Sequence, residues 1–309
     1  MSQLSAGQST VSRRFLDLRA LSALEHMRFA TRQQIEGAYS GRHRSQQMGG
    51  AGEFVDFREY VAGEDLKRLD WKVLARTGRA YTRLYQDETN LVCTLVIDVS
   101  RSMLFGSHRG RGEVGSKLQY VQYLASALAH VISRQQDQVG LALVGDGLQL
   151  SIPPGSTGGH VAGIYDAIED PRTVPATDLA GGLRALFERM TRRGVLLVMS
   201  DFLVDDVEQA FTSIRLFRHR RWEVVILHIV DPDEERLPEG AAFRFEGLEN
   251  EGRVDCSPTD IRRIYEERFA NHLAMVRNMA LTTGCDYRRV PTSVPYLQTL
   301  GGFLVERSG

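Results

Sequence analysis

The chain has 309 residues, of which 42% are hydrophobic and 25% are charged, so it can bury the core of one large domain or two. Its formal net charge of −1 gives no overall attraction to nucleic acid or acidic lipid, which argues against both as partners. No apolar run approaches the roughly 18 residues of a membrane-spanning helix, and the N-terminus lacks the apolar stretch of a secretory signal. We expect a globular chain with no membrane span.

The first 90 residues predict two small parts. Residues 1–40 are predicted to form a helical arm. Within it, apolar residues recur at helical spacing from Leu18 to Met27, which predicts a helix over 13–37. Residues 41–90 are rich in glycine and charge and predict loops, a short helix and short strands. We expect this segment to pack on the domain that follows.

From residue 91 to residue 309, predicted strands and helices alternate. This alternation is typical of a doubly wound α/β domain with a mainly parallel sheet and right-handed crossovers. A hairpin at 243–246 and 253–256 interrupts it near the C-terminal helices. The predicted strands are 92–97, 139–144, 148–152, 195–200, 224–230 and 286–290, and the predicted helices are 117–134, 179–190, 205–218, 258–281 and 295–306.

The number and spacing of the cysteines indicate whether the cellular compartment is reducing or oxidising. Cys93, Cys256 and Cys285 are odd in number and far apart, and Cys93 lies within the first predicted core strand. This pattern favours reduced thiols over a disulfide framework. Together with the missing secretory signal, it predicts a cytoplasmic protein.

The most informative pattern lies where the first core strand ends. Residues 91–97 form an apolar run, and Asp98, Ser100 and Ser102 follow in alternation. One carboxylate and two hydroxyls at the carboxyl end of a parallel strand can converge on a hard cation such as Mg²⁺, which prefers oxygen ligands. The same residue types are ordinary capping groups in a strand-to-helix turn, so this pattern alone leaves both interpretations open.

Two later positions add oxygen atoms at the same edge of the predicted sheet. The apolar run 195–200 ends at Asp201, in the same way that the first strand ends at Asp98. Thr177 lies at or just before the start of the helix that begins at Leu179. Thr177 or Asp178 could instead serve only as the N-cap of that helix.

In order and spacing, Asp98, Ser100, Ser102, Thr177 and Asp201 resemble the metal-ion-dependent adhesion site of von Willebrand factor A domains. The resemblance implies that the three hydroxyl residues bind the ion directly or through water, while the two aspartates supply charge and orient waters. It implies Mg²⁺ as the ion, with Mn²⁺ or Ca²⁺ as substitutes in vitro.

A second set of motifs lies upstream. The motifs are Gly41-Arg42-His43-Arg44-Ser45, Gly50-Ala51-Gly52-Glu53-Phe54-Val55-Asp56-Phe57-Arg58-Glu59-Tyr60, Gly63-Glu64-Asp65-Leu66-Lys67-Arg68-Leu69-Asp70-Trp71 and Arg83-Leu84-Tyr85-Gln86-Asp87-Glu88. This series resembles the bacterial domain-of-unknown-function 58 family, whose members join such a segment to a von Willebrand A-like domain, and the resemblance covers most of the chain. Members are typically encoded beside a MoxR-type AAA+ ATPase, which implies that ATPase as a partner.

Other site types fit the sequence less well. Gly110-x4-Gly115-Ser116-Lys117 nearly forms a phosphate-binding loop, but its serine and lysine stand in reversed order and the strand that should precede it is missing. The histidines show no close pairing with each other or with cysteine that would indicate a zinc site.

We therefore predict that the chain is not an enzyme but a Mg²⁺-dependent protein–protein adaptor. In this hypothesis the ion at the Asp98 site captures an acidic residue of a client protein, and a MoxR-type ATPase takes part in assembling or activating that client. The alternative is a metal-dependent hydrolase such as a phosphoesterase, although the sequence offers no Gly-x-Ser-x-Gly motif and no obvious general base beyond the ligands themselves.

Overall fold

The computed structural model describes residues 13–31, 53–60, 69–86, 91–106, 115–175, 177–237, 243–248 and 252–308. Contacts divide the chain into two compact units, one comprising residues 1–37 and 91–309 and the other residues 38–90. That the segment 41–90 packs on the larger unit stays a prediction.

Within the described residues, the strands are β1 (Glu53–Glu59), β2 (Tyr81–Gln86), β3 (Val92–Asp98), β4 (Gln138–Gly145), β5 (Gly147–Gly155), β6 (Val195–Ser200), β7 (Glu223–Val230), β8 (Phe243–Glu246), β9 (Arg253–Cys256) and β10 (Asp286–Pro291). Six of them form one sheet in the order β10-β7-β6-β3-β4-β5. Neighbouring strands in this sheet are parallel, except that β4 and β5 form an antiparallel hairpin. Strands β8 and β9 form the predicted separate hairpin.

The α-helices of the described residues are α1 (Leu18–Leu21), α2 (Trp71–Thr77), α3 (Lys117–Arg134), α4 (Gly158–Glu169), α5 (Leu179–Arg189), α6 (Val207–His219), α7 (Pro232–Glu235), α8 (Pro258–Thr282) and α9 (Tyr296–Ser308). Successive residues of β3 point to opposite faces of the sheet, with Leu95 and Ile97 in one hydrophobic core and Val96 in the other. The first core also contains residues of α3, α4 and α9, and the second contains residues of α5, α6 and α8. Both faces are therefore covered, which confirms the predicted doubly wound, von Willebrand A-like fold.

The predicted helix over 13–37 is wrong in the described part of the arm. Asp17 caps a helix of only 4 residues, α1, and a short 3₁₀ turn at Ser22–Leu24 follows before the chain becomes irregular. Phe29 is buried and packs near Phe303 of α9, with the ring centroids 6.0 Å apart. Burial of Phe29 in the main core outweighs the helix propensity of the arm.

Helix α4 and the short helix α7 are absent from the predictions, whereas the strands and helices predicted from residue 91 onward are confirmed with small shifts at their ends. Thr157 caps α4, and its buried residues Val161, Ile164 and Ile168 follow helical spacing. Three glycines within α4 lower its helix propensity, which hid this pattern. Packing of its apolar face against the core supplies the missing stability.

In the smaller unit, β1 pairs antiparallel with β2, and α2 lies between them in the sequence. Asp70 caps α2 by accepting hydrogen bonds from the backbone N–H groups of Lys72 and Val73, at 3.0 and 3.1 Å. Gly78 ends the helix with φ of 69°, a conformation that glycine adopts without strain. The short helix predicted over 66–75 is thus shifted toward its C-terminal end, and residues 61–68 lie outside the described part of the chain.

No helix in the described ranges is long and apolar enough to cross a membrane. Cys93 and Cys285 are free, buried thiols. The cytoplasmic location stays a prediction.

Candidate metal centre

Asp98 ends β3 and lies buried at the carboxyl edge of the sheet, where its two oxygens accept hydrogen bonds from its own turn and from the end of β6. The backbone N–H of Ser100 donates to Oδ1 at 2.9 Å, and the hydroxyl of Ser200 donates to Oδ2 at 2.5 Å. Because Ser200 is the last residue of β6, these bonds tie the ends of β3 and β6 together. The Asp98 carboxylate is therefore held in one orientation.

The two serines of the Asp98 pattern lie side by side. The hydroxyl oxygens of Ser100 and Ser102 are 2.9 Å apart, and a hydrogen bond links Ser102 to Asp201. Ser100 is fully buried, whereas Ser102 is half-buried at the start of a short 3₁₀ helix. The four residues Asp98, Ser100, Ser102 and Asp201 thus form one linked set.

Thr177 lies on the segment that crosses the same edge. Ser100 forms an isolated parallel bridge with Val174, and the backbone N–H of Asp178 donates to Gly145 at the end of β4, at 2.7 Å. A Cβ atom on Gly145 would lie 2.3 Å from a methyl group of Val174, so glycine permits this close crossing. Thr177 is half-buried between these anchors.

The sequence leaves open whether Thr177 or Asp178 caps helix α5, and the structure assigns the cap to Asp178. Asp178 is the N-cap of α5, and its carboxylate accepts a hydrogen bond from the backbone N–H of Gly181 at 2.8 Å. The hydroxyl of Thr177 is not the capping group. Coordination of a metal by Thr177 stays a prediction.

Asp201 follows β6 directly and also lies buried at this edge. Its Oδ1 accepts a hydrogen bond from the backbone N–H of Leu203 at 3.0 Å, and its Oδ2 accepts one from the ammonium group of Lys117 at 2.6 Å. The next residue, Phe202, has φ of 54°, which is unusual for a bulky side chain. Its ring is fully buried and stacks on that of Phe211, with centroids 5.6 Å apart, so packing holds the turn that aims Asp201.

Lys117 brings a positive charge into this set. It begins α3, its side chain is 0% exposed, and its ammonium group contacts both Asp201 and Glu234. Glu234 belongs to α7, which follows β7, and its other oxygen accepts a hydrogen bond from the backbone N–H of Asp231 at 3.0 Å. A lysine is almost never fully buried unless it is paired, and here two carboxylates pair with it.

The electrostatics follow from burial and from this pairing. Burial, followed by the neighbouring Asp201 carboxylate, raises the pKa of Asp98 to about 6. Burial alone would raise the pKa of Asp201, but the Lys117 ammonium group holds it below its usual value. Burial alone would lower the pKa of Lys117, but the two carboxylates raise it, so Lys117 is charged at neutral pH. The pKa of Glu234 is raised, chiefly by burial.

His228 lies behind Asp201 on β7. One ring nitrogen is 2.9 Å from the backbone oxygen of Asp201, the other is 3.0 Å from the hydroxyl of Tyr287, and the ring of His272 lies 6.1 Å away. Burial lowers the pKa of His228 to about 4, and His272 and Lys117 act in the same direction while Asp201 opposes them. His228 is therefore neutral in the folded chain at physiological pH.

We expect this histidine to make folding pH-dependent. Between pH 6.5 and pH 4 the unfolded chain binds a proton at His228 that the folded chain does not, so stability falls as the pH falls. Urea unfolding at pH 7 and at pH 5 gives the free energy of unfolding that each protein loses on acidification. We expect this loss to be smaller by about 2 kcal/mol in His228→Gln than in the unsubstituted chain. The pKa of Asp98 is shifted in the opposite direction, but both proteins share that contribution. An equal loss in both proteins would contradict the prediction.

The donor set suits a hard cation. Two carboxylates and three hydroxyls offer only oxygen, which Mg²⁺ prefers. The Lys117 ammonium group on Asp201 indicates that the site attracts positive charge. Among the described residues no group of three or more histidine, cysteine, aspartate or glutamate side chains is placed to hold a metal ion, so binding here would depend on the hydroxyls.

The sequence predictions do not include four residues of this region, which are Lys117, Ser200, His228 and Glu234. In the sequence, Lys117 stands out only as the end of a near phosphate-binding motif. Its position at the start of the helix after β3, and that of Glu234 just after β7, are the signals that place both at the carboxyl edge.

Comparison with known proteins identifies the family. Residues 56–275, more than two thirds of the chain, match the family model described as a protein of unknown function, DUF58. The chain belongs to the DUF58 family. An uncharacterised protein of Mycobacterium tuberculosis (strain ATCC 25618 / H37Rv) is 28% identical to it over 229 residues, which cover 72% of this DUF58 chain and 69% of the relative.

Two solved structures are similar to this chain at low sequence identity. BatB, a conserved hypothetical protein of Bacteroides thetaiotaomicron, is 15% identical with a TM-score of 0.47, covering 71% of this chain and 99% of that one. An aerotolerance-related membrane protein of Bacteroides fragilis NCTC 9343 is 15% identical with a TM-score of 0.46, covering 70% and 100%. At this level of similarity neither structure assigns a function to the DUF58 chain.

Proposed function

We propose that this DUF58 chain is a Mg²⁺-dependent adaptor that binds a protein partner through an acidic side chain of that partner. The observation that carries the proposal is the linked set of Asp98, Ser100, Ser102 and Asp201 at the carboxyl edge of the sheet, with Thr177 on the adjoining segment. These are hard oxygen donors, and Mg²⁺ needs few of them because it keeps several waters.

One side of this site is partly exposed to solvent. Asp98, Ser100 and Asp201 are buried, whereas Ser102 and Thr177 are half-buried. In our proposal the hydroxyl groups bind the ion directly or through water, and the two aspartates supply charge. Mg²⁺ bound there would offer an open coordination position, which suits a carboxylate of the partner.

The proposed partners are taken from the family resemblance. Members of the DUF58 family are typically encoded beside a MoxR-type AAA+ ATPase, so we propose such an ATPase and a shared client protein as the partners. Mn²⁺ or Ca²⁺ would substitute for Mg²⁺ in vitro. The adaptor would act in assembly or activation of the client.

A metal-dependent hydrolase, such as a phosphoesterase, is the competing function. Such an enzyme needs a general base that is available to a substrate or to water. Asp98 and Asp201 are buried, their oxygens already accept hydrogen bonds within the protein, and in our proposal both serve the ion, so this set has no further carboxylate to act as the base. This favours the adaptor.

A pull-down from the native host tests the adaptor. We expect the unsubstituted chain to recover the MoxR-type ATPase in Mg²⁺ buffer, and EDTA, Asp98→Ala or Thr177→Ala to abolish the recovery. Asp205→Ala, which removes an exposed carboxylate shortly after Asp201 in the sequence, is the matched control and should leave recovery unchanged. Recovery that is indifferent to EDTA and to both site variants, together with metal-dependent phosphoester hydrolysis by the purified chain, would instead establish the enzyme.

A further inference from the structure

The buried ammonium group of Lys117 lies on a carboxylate of the candidate metal site. Its nitrogen is 2.6 Å from Oδ2 of Asp201, it also contacts Oε1 of Glu234, and it is 5.8 Å from the ring centroid of Phe105. The backbone N–H of Lys117 donates to the carbonyl of Phe105 at 2.9 Å, which fixes the start of α3 beside the site. The charge is thus built into the fold.

A divalent ion at this site would meet that charge. Oδ1 of Asp201 accepts a hydrogen bond from Leu203, and Oδ2 accepts one from the ammonium group, so an ion bound beside this carboxylate would lie close to the ammonium charge. Two cations that share one carboxylate in a buried place repel each other strongly, because little water screens them. The Asp201 carboxylate can therefore stabilise the charge of Lys117 or the charge of the ion, but each cation weakens the binding of the other.

Glu234 already contacts the ammonium group and would keep it if the contact with Asp201 were lost. Its carboxylate is held by the backbone N–H of Asp231, and its carbonyl accepts a hydrogen bond from the hydroxyl of Tyr265 at 2.8 Å. Asp231, in turn, accepts a hydrogen bond from Thr292 at 2.7 Å, so α7 is anchored independently of Lys117. The lysine side chain is long and carries three rotatable donors, which allows a short movement from Asp201 toward Glu234.

We propose that Lys117 is a resident cation that competes with the divalent ion for Asp201, and that Glu234 holds the ammonium group when the ion binds. The inference rests on the metal site of the proposed function and adds its regulation. Lys117 lowers the affinity of the site for the ion. The ion-free site stays folded because Lys117 takes the place of the ion at Asp201 and offsets part of the negative charge.

The test uses variants of matched charge. Three carboxylates (Asp98, Asp201 and Glu234) and one ammonium group carry a formal charge of −2 in the unsubstituted chain, and Lys117→Met/Glu234→Gln keeps −2 while it removes the ammonium group. Mg²⁺ binding by calorimetry and Mn²⁺ binding by electron paramagnetic resonance, both at pH 8, give affinities without any partner. We expect the double variant to bind both ions about tenfold more tightly than the unsubstituted chain, and Glu234→Gln alone to bind more weakly.

Each outcome decides the matter. Equal affinity of the double variant and the unsubstituted chain would mean that only net charge matters, which overturns the competition but leaves the adaptor intact. Ion binding by the double variant but not by the unsubstituted chain would be the strongest support for the competition. The absence of binding by any of these proteins would overturn both the competition and the adaptor. Circular dichroism checks folding, and Lys117→Gln/Glu234→Gln, which has the same charge and retains polar contacts, replaces the first double variant if that one does not fold.

Discussion

Substitution of Lys117 by methionine alone is expected to lower the free energy of unfolding by about 3–5 kcal/mol in the absence of divalent ions. The variant leaves the carboxylates of Asp201 and Glu234 buried together with no counter-cation. Removal of one partner from a buried ion pair costs more than the pair itself contributes, because the remaining charge has lost its water and its partner. Urea unfolding at pH 7.5 measures the loss.

Two comparisons isolate this effect. Lys117→Met/Glu234→Gln should recover much of the lost stability, since it removes one of the two stranded carboxylates. Glu306→Gln disrupts the Arg288–Glu306 pair, whose glutamate side chain is 68% exposed, and should change stability by less than about 1 kcal/mol. A loss below about 1 kcal/mol in Lys117→Met would show that the ammonium group does not neutralise the site.

Asp98→Ala is expected to abolish Mg²⁺ binding, the largest effect on function that we predict. The substitution removes a buried carboxylate whose charge offsets the dehydration of the ion. It also removes the acceptor that orients the backbone of Ser100 and the hydroxyl of Ser200. Calorimetry and the Mg²⁺-induced rise in melting temperature, each referred to the ion-free value of the same protein, measure the loss.

Asp98→Asn separates charge from shape. Its amide keeps an acceptor for Ser100 but carries no charge, so we expect it to bind Mg²⁺ as poorly as Asp98→Ala. Asp205→Ala should respond to Mg²⁺ like the unsubstituted chain. An equal Mg²⁺ response in Asp98→Ala and the unsubstituted chain would refute the assignment of Asp98 to a metal site.

The fold and the position of the two aspartates could be predicted because they depend on the pattern of the strands. Buried parallel strands are read as apolar runs, and their carboxyl ends meet at one edge of the sheet. This reasoning places Asp98 and Asp201 together without knowledge of any contact. It fails for the arm, where burial of Phe29 and not local propensity decides the conformation.

The ion pairs at the site could not be predicted from the strand pattern of the sequence. Whether the side chain of Lys117 turns toward solvent or into the sheet edge depends on which carboxylates the topology brings near it. Those carboxylates are 84 and 117 residues further along the chain, at Asp201 and Glu234. Sequence periodicity carries no information on such distant pairings, although strand ends and helix starts indicate which residues are candidates.

The hairpin strand β5 limits how other proteins can join this sheet. It forms one edge of the sheet, and two of its residues, Pro153 and Pro154, have no backbone N–H to offer an incoming strand. Growth of the sheet by strand addition, a frequent route to both peptide recognition and aggregation, is therefore blocked along part of this edge. Association at the carboxyl end of the sheet, where Ser102 and Thr177 are half-buried, would instead proceed along the strands and not from beside them.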